Sequence, residues 1–141
     1  MKKYEAMKKY KIFSLFLVVS IFWFSCSEEM DTNSERFKLL TGHIWEADSL
    51  LANGAEAGGP GGLLEGFNGD TKFFEDGTGY LGIYEGTWSF SNLENDITID
   101  SDSLPIPITA NIVELTEESF KIITQFPGAI YIDIRMTFIA K

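Results

Sequence analysis

The chain has 141 residues, 45% of them hydrophobic, with 21 acidic side chains against 11 basic ones and a formal net charge of −10 at pH 7. So negative a surface repels phosphate backbones, which excludes nucleic acid as a partner. A lone cysteine, Cys26, leaves no pair for a disulfide, and a lone histidine, His43, has no cysteine or spaced carboxylate to complete a metal site, so neither metal nor cofactor is expected.

The charge is unevenly spread. Lys2, Lys3, Lys8, Lys9 and Lys11 face one acid, Glu5, and the apolar run Ile12–Phe24 follows them. That run has thirteen residues, fewer than the roughly 20 a membrane-spanning helix needs. A positive segment before a short apolar one reads instead as a secretory signal peptide over residues 1–25. Met1-Lys2-Lys3-Tyr4 recurs as Met7-Lys8-Lys9-Tyr10, so either methionine can serve as initiator. Without residues 1–25, six basic and twenty acidic residues remain, a net charge of −14 on 116 residues, enough for one domain with a single core.

Ser25-Cys26, where the apolar run meets a polar one, resembles the lipobox of bacterial lipoproteins, whose cysteine is diacylated on sulfur and becomes the mature N-terminus. Trp23 and Phe24 depart from the leucine and small residue usual before it. The resemblance implies lipidation of Cys26, a membrane bound through that lipid, and an outer-membrane lipoprotein that is periplasmic or surface-exposed. Each buried methylene contributes ~0.8 kcal/mol, so several acyl chains on one residue hold a protein stably. Ser27-Glu28-Glu29 and Asp31 resemble the acidic export signal of surface-exposed lipoproteins of some Gram-negative bacteria. They read equally well as part of a solvated tether over residues 26–36, ahead of a domain spanning 37–141.

In chain order, Asn33 or Ser34 can cap a short helical turn with Phe37 and Leu40 on one side, ended by Gly42. His43–Leu51 follows as a first strand. Between Ala52 and Asp70 seven glycines surround Pro60 and predict a long loop. Its apolar residues Leu63, Leu64 and Phe67 make it a lid over an opening or an insertion loosely tacked onto the core. Short strands and tight turns then alternate: Thr71–Glu75, Asp76-Gly77 as a hairpin turn, Thr78–Tyr84, Gly86–Phe90 and Ile97–Asp100. Pro105 and Pro107 cannot donate to a ladder and interrupt it. Pairing resumes with Ile108–Leu115, Ser119–Phe126 and Ala129–Ala140, the last alternating Ile130, Ile132, Ile134, Met136 and Phe138 against Tyr131, Asp133, Arg135 and Thr137. These eight strands predict an all-β, eight-stranded antiparallel up-and-down barrel, which holds either packed side chains or one small ligand.

Four segments carry a second resemblance. Leu39–Trp45, Phe73–Tyr80, Gly86–Phe90 with Ile97–Ile99, and Ile112–Thr116 are similar, in order and spacing, to the lipocalin-like domains of bacterial lipoproteins. The likeness implies a small lipocalin-like barrel and, by analogy, a hydrophobic ligand. It also implies structural roles for Gly42, for Trp45 and for Arg135, placed over that tryptophan from the last strand through a cation–π contact. Lipocalins proper carry Gly-x-Trp, whereas here two residues separate Gly42 from Trp45.

Catalytic signals are thin. No Gly-x-Ser-x-Gly, phosphate-binding loop or paired-cysteine motif occurs, and Asp96, Asp100 and Asp102 lack the glycine and terminal glutamate of a calcium loop. An enzyme is therefore not expected. Tyr80, Tyr84, Trp88, Phe90, Phe120 and Phe126 lie on strands where they can line an interior, as candidate ligand-binding residues or as core. The expectation is an anchored binder of a small hydrophobic ligand, with a non-catalytic protein-interaction or inhibitor module of the cell envelope as the alternative, its acidic surface docking onto another envelope protein or a cationic partner.

Overall fold

The computed structural model describes residues 29–127 and 129–141. The signal peptide and the lipidation expected at Cys26 lie outside the described residues. The first regular element among the described residues is helix α1 (Glu35–Gly42), capped by Ser34, whose Oγ accepts a 3.0 Å hydrogen bond from the Phe37 N–H. Phe37, Leu40 and Thr41 form its buried face, and Gly42 is its exposed last residue. Met30, just ahead of it, also packs on the core.

Nine strands follow: β1 (Trp45–Ala52), β2 (Ala55–Glu56), β3 (Asp70–Phe73), β4 (Thr78–Leu81), β5 (Tyr84–Ser91), β6 (Asp96–Asp100), β7 (Ile108–Leu115), β8 (Ser119–Phe126) and β9 (Ile132–Ala140). Consecutive strands from β3 to β9 pair antiparallel, and β1 bridges the two ends by pairing with both β3 and β9. The two-residue β2 is a short hairpin partner of β1, turned by Asn53 and Gly54 in left-handed conformations (φ 49° and 80°). The wall is therefore a closed eight-stranded antiparallel up-and-down barrel, as the turn spacing predicted. Closure removes the free edges that would otherwise pair with other chains.

The closing seam runs from Trp45 opposite Ala140 to Ala52 opposite Ile134, with a bulge at Asp48. On its other side β1 pairs with β3 only at Trp45 and Glu46. The rest of that side is taken by β2 and by the glycine-rich segment, where the Ala57 N–H donates to the Leu50 carbonyl.

Inward-pointing side chains fill the barrel. Phe37 from the helix meets Trp88 (5.7 Å between ring centroids), which meets Phe73 (5.5 Å), which meets Phe120 (5.8 Å), which meets both Trp45 and Phe138. Offset and edge-to-face contacts of this kind add to what burial alone contributes. Trp45 is fully buried, and its indole N–H donates to the Leu40 carbonyl at 3.0 Å.

Arg135 does not meet it. Its register partner on β1 is Leu51, six residues along from Trp45, and it sits exposed among the outward residues of β9, on the opposite face of the wall from that buried ring. One cation at this end is Lys72, whose Nζ donates to the carbonyls of Thr41 and His43 (3.0 Å to the latter), capping the end of α1. The inner row of β9 also starts later than its alternation suggests. Ile130 precedes the strand and is 78% exposed.

Candidate functional site at the barrel mouth

Alternate barrel ends carry different equipment. The end where β1 starts is closed by α1. At the other end, called the mouth, the tight β1–β2 and β4–β5 turns lie beside three longer connections: the β2–β3 segment, the β6–β7 segment over 101–107 and the β8–β9 segment over 127–131.

The β2–β3 segment is folded onto the core. The Leu64 N–H donates to the Ala57 carbonyl, a 3₁₀ turn over Glu65–Phe67 follows, and the Asn68 side chain donates to the Gly58 carbonyl at 3.1 Å. Leu64 and Phe67 are fully buried. They plug the mouth, so the segment is an ordered part of the core rather than a loose insertion. Its fit depends on Gly82 in the β4–β5 turn (φ +59°): a Cβ there would fall 2.2 Å from the Gly66 carbonyl oxygen, and the Ile83 N–H donates to that same oxygen.

Across the mouth, the Leu104 N–H donates to the Ser101 carbonyl, and Pro105 and Pro107 keep the chain out of the ladder until Ile108 begins β7. A pocket of about 230 Å³ opens between these segments, lined by Leu63, Phe67, Tyr84, Leu104, Pro105, Ile106, Ile108, Phe126 and Pro127. Among the described residues that line it, the Tyr84 phenol is the one hydrogen-bonding side chain. Phe67 packs against Tyr84 (4.7 Å between centroids) and faces Phe126 (6.4 Å).

The six aromatic residues expected to line a cavity separate into distinct places. Tyr84 and Phe126 line the mouth pocket. Trp88 and Phe120 are core, and the space bounded by Tyr80, Tyr84, Trp88 and Ile99 amounts to about 10 Å³, at or below what one water needs. Phe90 packs edge-on against Trp88 (5.3 Å) and borders a hollow of about 240 Å³ with Met30 and Leu93 at the helix-closed end. Two larger hollows, of about 450 and 400 Å³, lie along the β7–β9 wall and share Ile123 and Arg135. Within them the Gln125 side chain is paired with Asp133 and Lys121 with Glu114.

No protein-family model matches the chain, and no curated protein matches it.

Chemistry beyond apolar contact is sparse around the mouth. Among the described residues no group of three or more His, Cys, Asp or Glu side chains stands close enough to hold a metal ion. His43 packs edge-on against Trp45 at 5.3 Å, and Asp96 accepts from the Asn111 side chain at 3.0 Å. The carboxylates held below their usual range are Asp76, through the Thr78 hydroxyl and N–H, and Glu114, through Ser119 and Lys121. Both serve turns or pairs at the helix-closed half. Sequence reading missed Leu104, Ile106 and Ile108 as site residues. Their signal was an apolar run, Leu-Pro-Ile-Pro-Ile, too broken by proline to be a strand.

Proposed function

We propose that this protein is a membrane-anchored lipocalin-like lipoprotein that binds a small hydrophobic ligand at the mouth of its barrel. The apolar mouth pocket carries this reading. Its lining side chains are hydrocarbon and aromatic apart from the Tyr84 phenol, and its volume of about 230 Å³ lies below the roughly 300–1,000 Å³ of drug-sized sites. The occupant is correspondingly small, or inserts only one end. With the barrel interior packed, the ligand sits at the rim and not deep inside as in a hollow barrel. Titrating a fluorescent lipid probe into the protein tests the binding; saturable uptake at micromolar concentration is expected, and none would refute it.

Anchoring fixes an orientation. Met30 is packed at the helix-closed end, four residues after Cys26. Four residues span at most roughly 14 Å. A lipid on Cys26 therefore holds the helix-closed end against the membrane and turns the mouth away from it. Mass spectrometry of the mature protein checks the anchor: a lipid-sized increment on Cys26 is expected, and an unmodified thiol would remove it.

A second, non-catalytic reading is a protein-interaction module of the cell envelope. Ile83, Ile106, Ile130 and Tyr131 stand exposed in the connections at the mouth, and exposed apolar residues at one end of a domain can mark a contact surface. Cross-linking in cells separates the two, since a small-molecule binder yields no stoichiometric protein partner.

A further inference from the structure

The mouth pocket combines two features that bear on the charge of what enters it. Three of its lining residues are aromatic: buried Phe67, with half-buried Tyr84 and Phe126 to either side. Phe67 is tilted by 43° to Tyr84 and by 47° to Phe126, so the three rings are not stacked parallel to one another. The face of an aromatic ring is the negative part of its quadrupole, and clustered rings are how proteins hold alkylated ammonium groups.

Charge at the rim points the same way. The β2–β3 segment carries exposed Glu65 and the β6–β7 segment exposed Asp102, and none of the three connections forming the mouth contains a lysine or arginine. Among the charged side chains of these connections a carboxylate ligand would meet only like charge. A strongly hydrated primary ammonium would find one hydrogen-bonding side chain, the Tyr84 phenol, to replace its water.

We propose that the mouth pocket takes a weakly hydrated organic cation, a quaternary ammonium with its alkyl groups against Phe67, Tyr84 and Phe126. This rests on the reading of the mouth as a ligand site and adds the class of ligand. The positive charge is attracted by the ring faces and the acidic rim together, while the alkyl groups gain the apolar contact that the lining offers.

The test uses the full-length protein in lipid nanodiscs free of choline headgroups, with choline, its uncharged carbon isostere 3,3-dimethylbutanol and the anion 3,3-dimethylbutanoate as probes. Chemical shifts of isotope-labelled Phe and Tyr rings report binding. Choline is expected to saturate, to bind at least about threefold more tightly than the isostere at low ionic strength, and to weaken as salt is added. Tyr84→Leu and Phe126→Leu keep apolar volume but remove a ring face, and each should weaken choline by about two- to thirtyfold. Asp102→Asn changes an exposed residue, so folding is not at risk; it should weaken choline and flatten the salt dependence. If the isostere binds as well as choline, the cationic class is overturned and the apolar-ligand reading stands. If none of the three probes saturates, both are overturned.

Discussion

Trp45 donates its indole N–H to the Leu40 carbonyl at 3.0 Å, tying the first strand of the barrel to the helix that closes one end. The same ring lies 5.7 Å from Phe120, so one side chain connects the cap, the wall and the aromatic core. Trp45→Phe removes the donor, leaves a buried carbonyl unpaired and opens space in a fully buried site. We predict a loss of about 2–4 kcal/mol and a fall in melting temperature of about 10 °C or more, measured by circular dichroism.

Two cations on the barrel should behave differently. Lys72 donates to the Thr41 and His43 carbonyls at the end of α1, whereas Arg135 stands exposed on the outer wall. Lys72→Met should cost about 1–2 kcal/mol through two lost charge-assisted bonds. Arg135→Ala should change stability by less than about 0.5 kcal/mol. A clear drop on Arg135→Ala in a thermal melt would mean that the residue packs on the wall after all.

Much of the fold was legible because a half-buried strand writes its alternation into the sequence. β9, with Ile132, Ile134, Met136 and Phe138 inward, and the Asp76-Gly77 hairpin are the clearest cases. What the pattern does not carry is whether inward residues meet one another or enclose space. Trp88 and Phe120 share the period of Tyr84 and Phe126, yet the first pair is core and the second lines a pocket. The difference comes from what plugs each end, and the plugs come from irregular segments with no period to read. Leu64 and Phe67 sit among glycines and Leu104 directly before Pro105, so their packing depends on tertiary contacts alone.

Two glycines test the plug and the cap. Gly82 has φ +59° and no room for a Cβ, which would fall 2.2 Å from the Gly66 oxygen. Gly82→Ala should cost more than about 2 kcal/mol. Gly42 has open space where a Cβ would stand, and Gly42→Ala should be neutral or stabilising by about 0.5 kcal/mol. Paired urea melts of the two variants give the comparison; equal effects would contradict this account of the mouth.

Two exposed groups contribute to the pH dependence of stability. The Thr78 hydroxyl and N–H hold the Asp76 carboxyl below its ordinary value. A depressed carboxyl contributes stability above its unfolded pKa of about 3.9 and loses it as pH falls through the lower folded value. Lys141 is raised, first by its hydrogen bond to Asp70 and then by the charges of Asp70 and Glu46. Its contribution is full below the unfolded value of about 10.4 and is lost as pH rises through the higher folded value. Thr78→Val should move the Asp76 titration upward in a carboxyl NMR titration, and an unmoved midpoint would exclude the hydroxyl as the cause.

The most direct measurement for a filled barrel that binds at its mouth is photo-cross-linking with an alkyl diazirine, followed by peptide mapping. The account predicts saturable adducts on Leu63, on Leu104–Ile106 and on Phe126-Pro127, competed by unlabelled probe. Adducts on Trp88 or Phe120 in the interior, or labelling that never saturates, would contradict it.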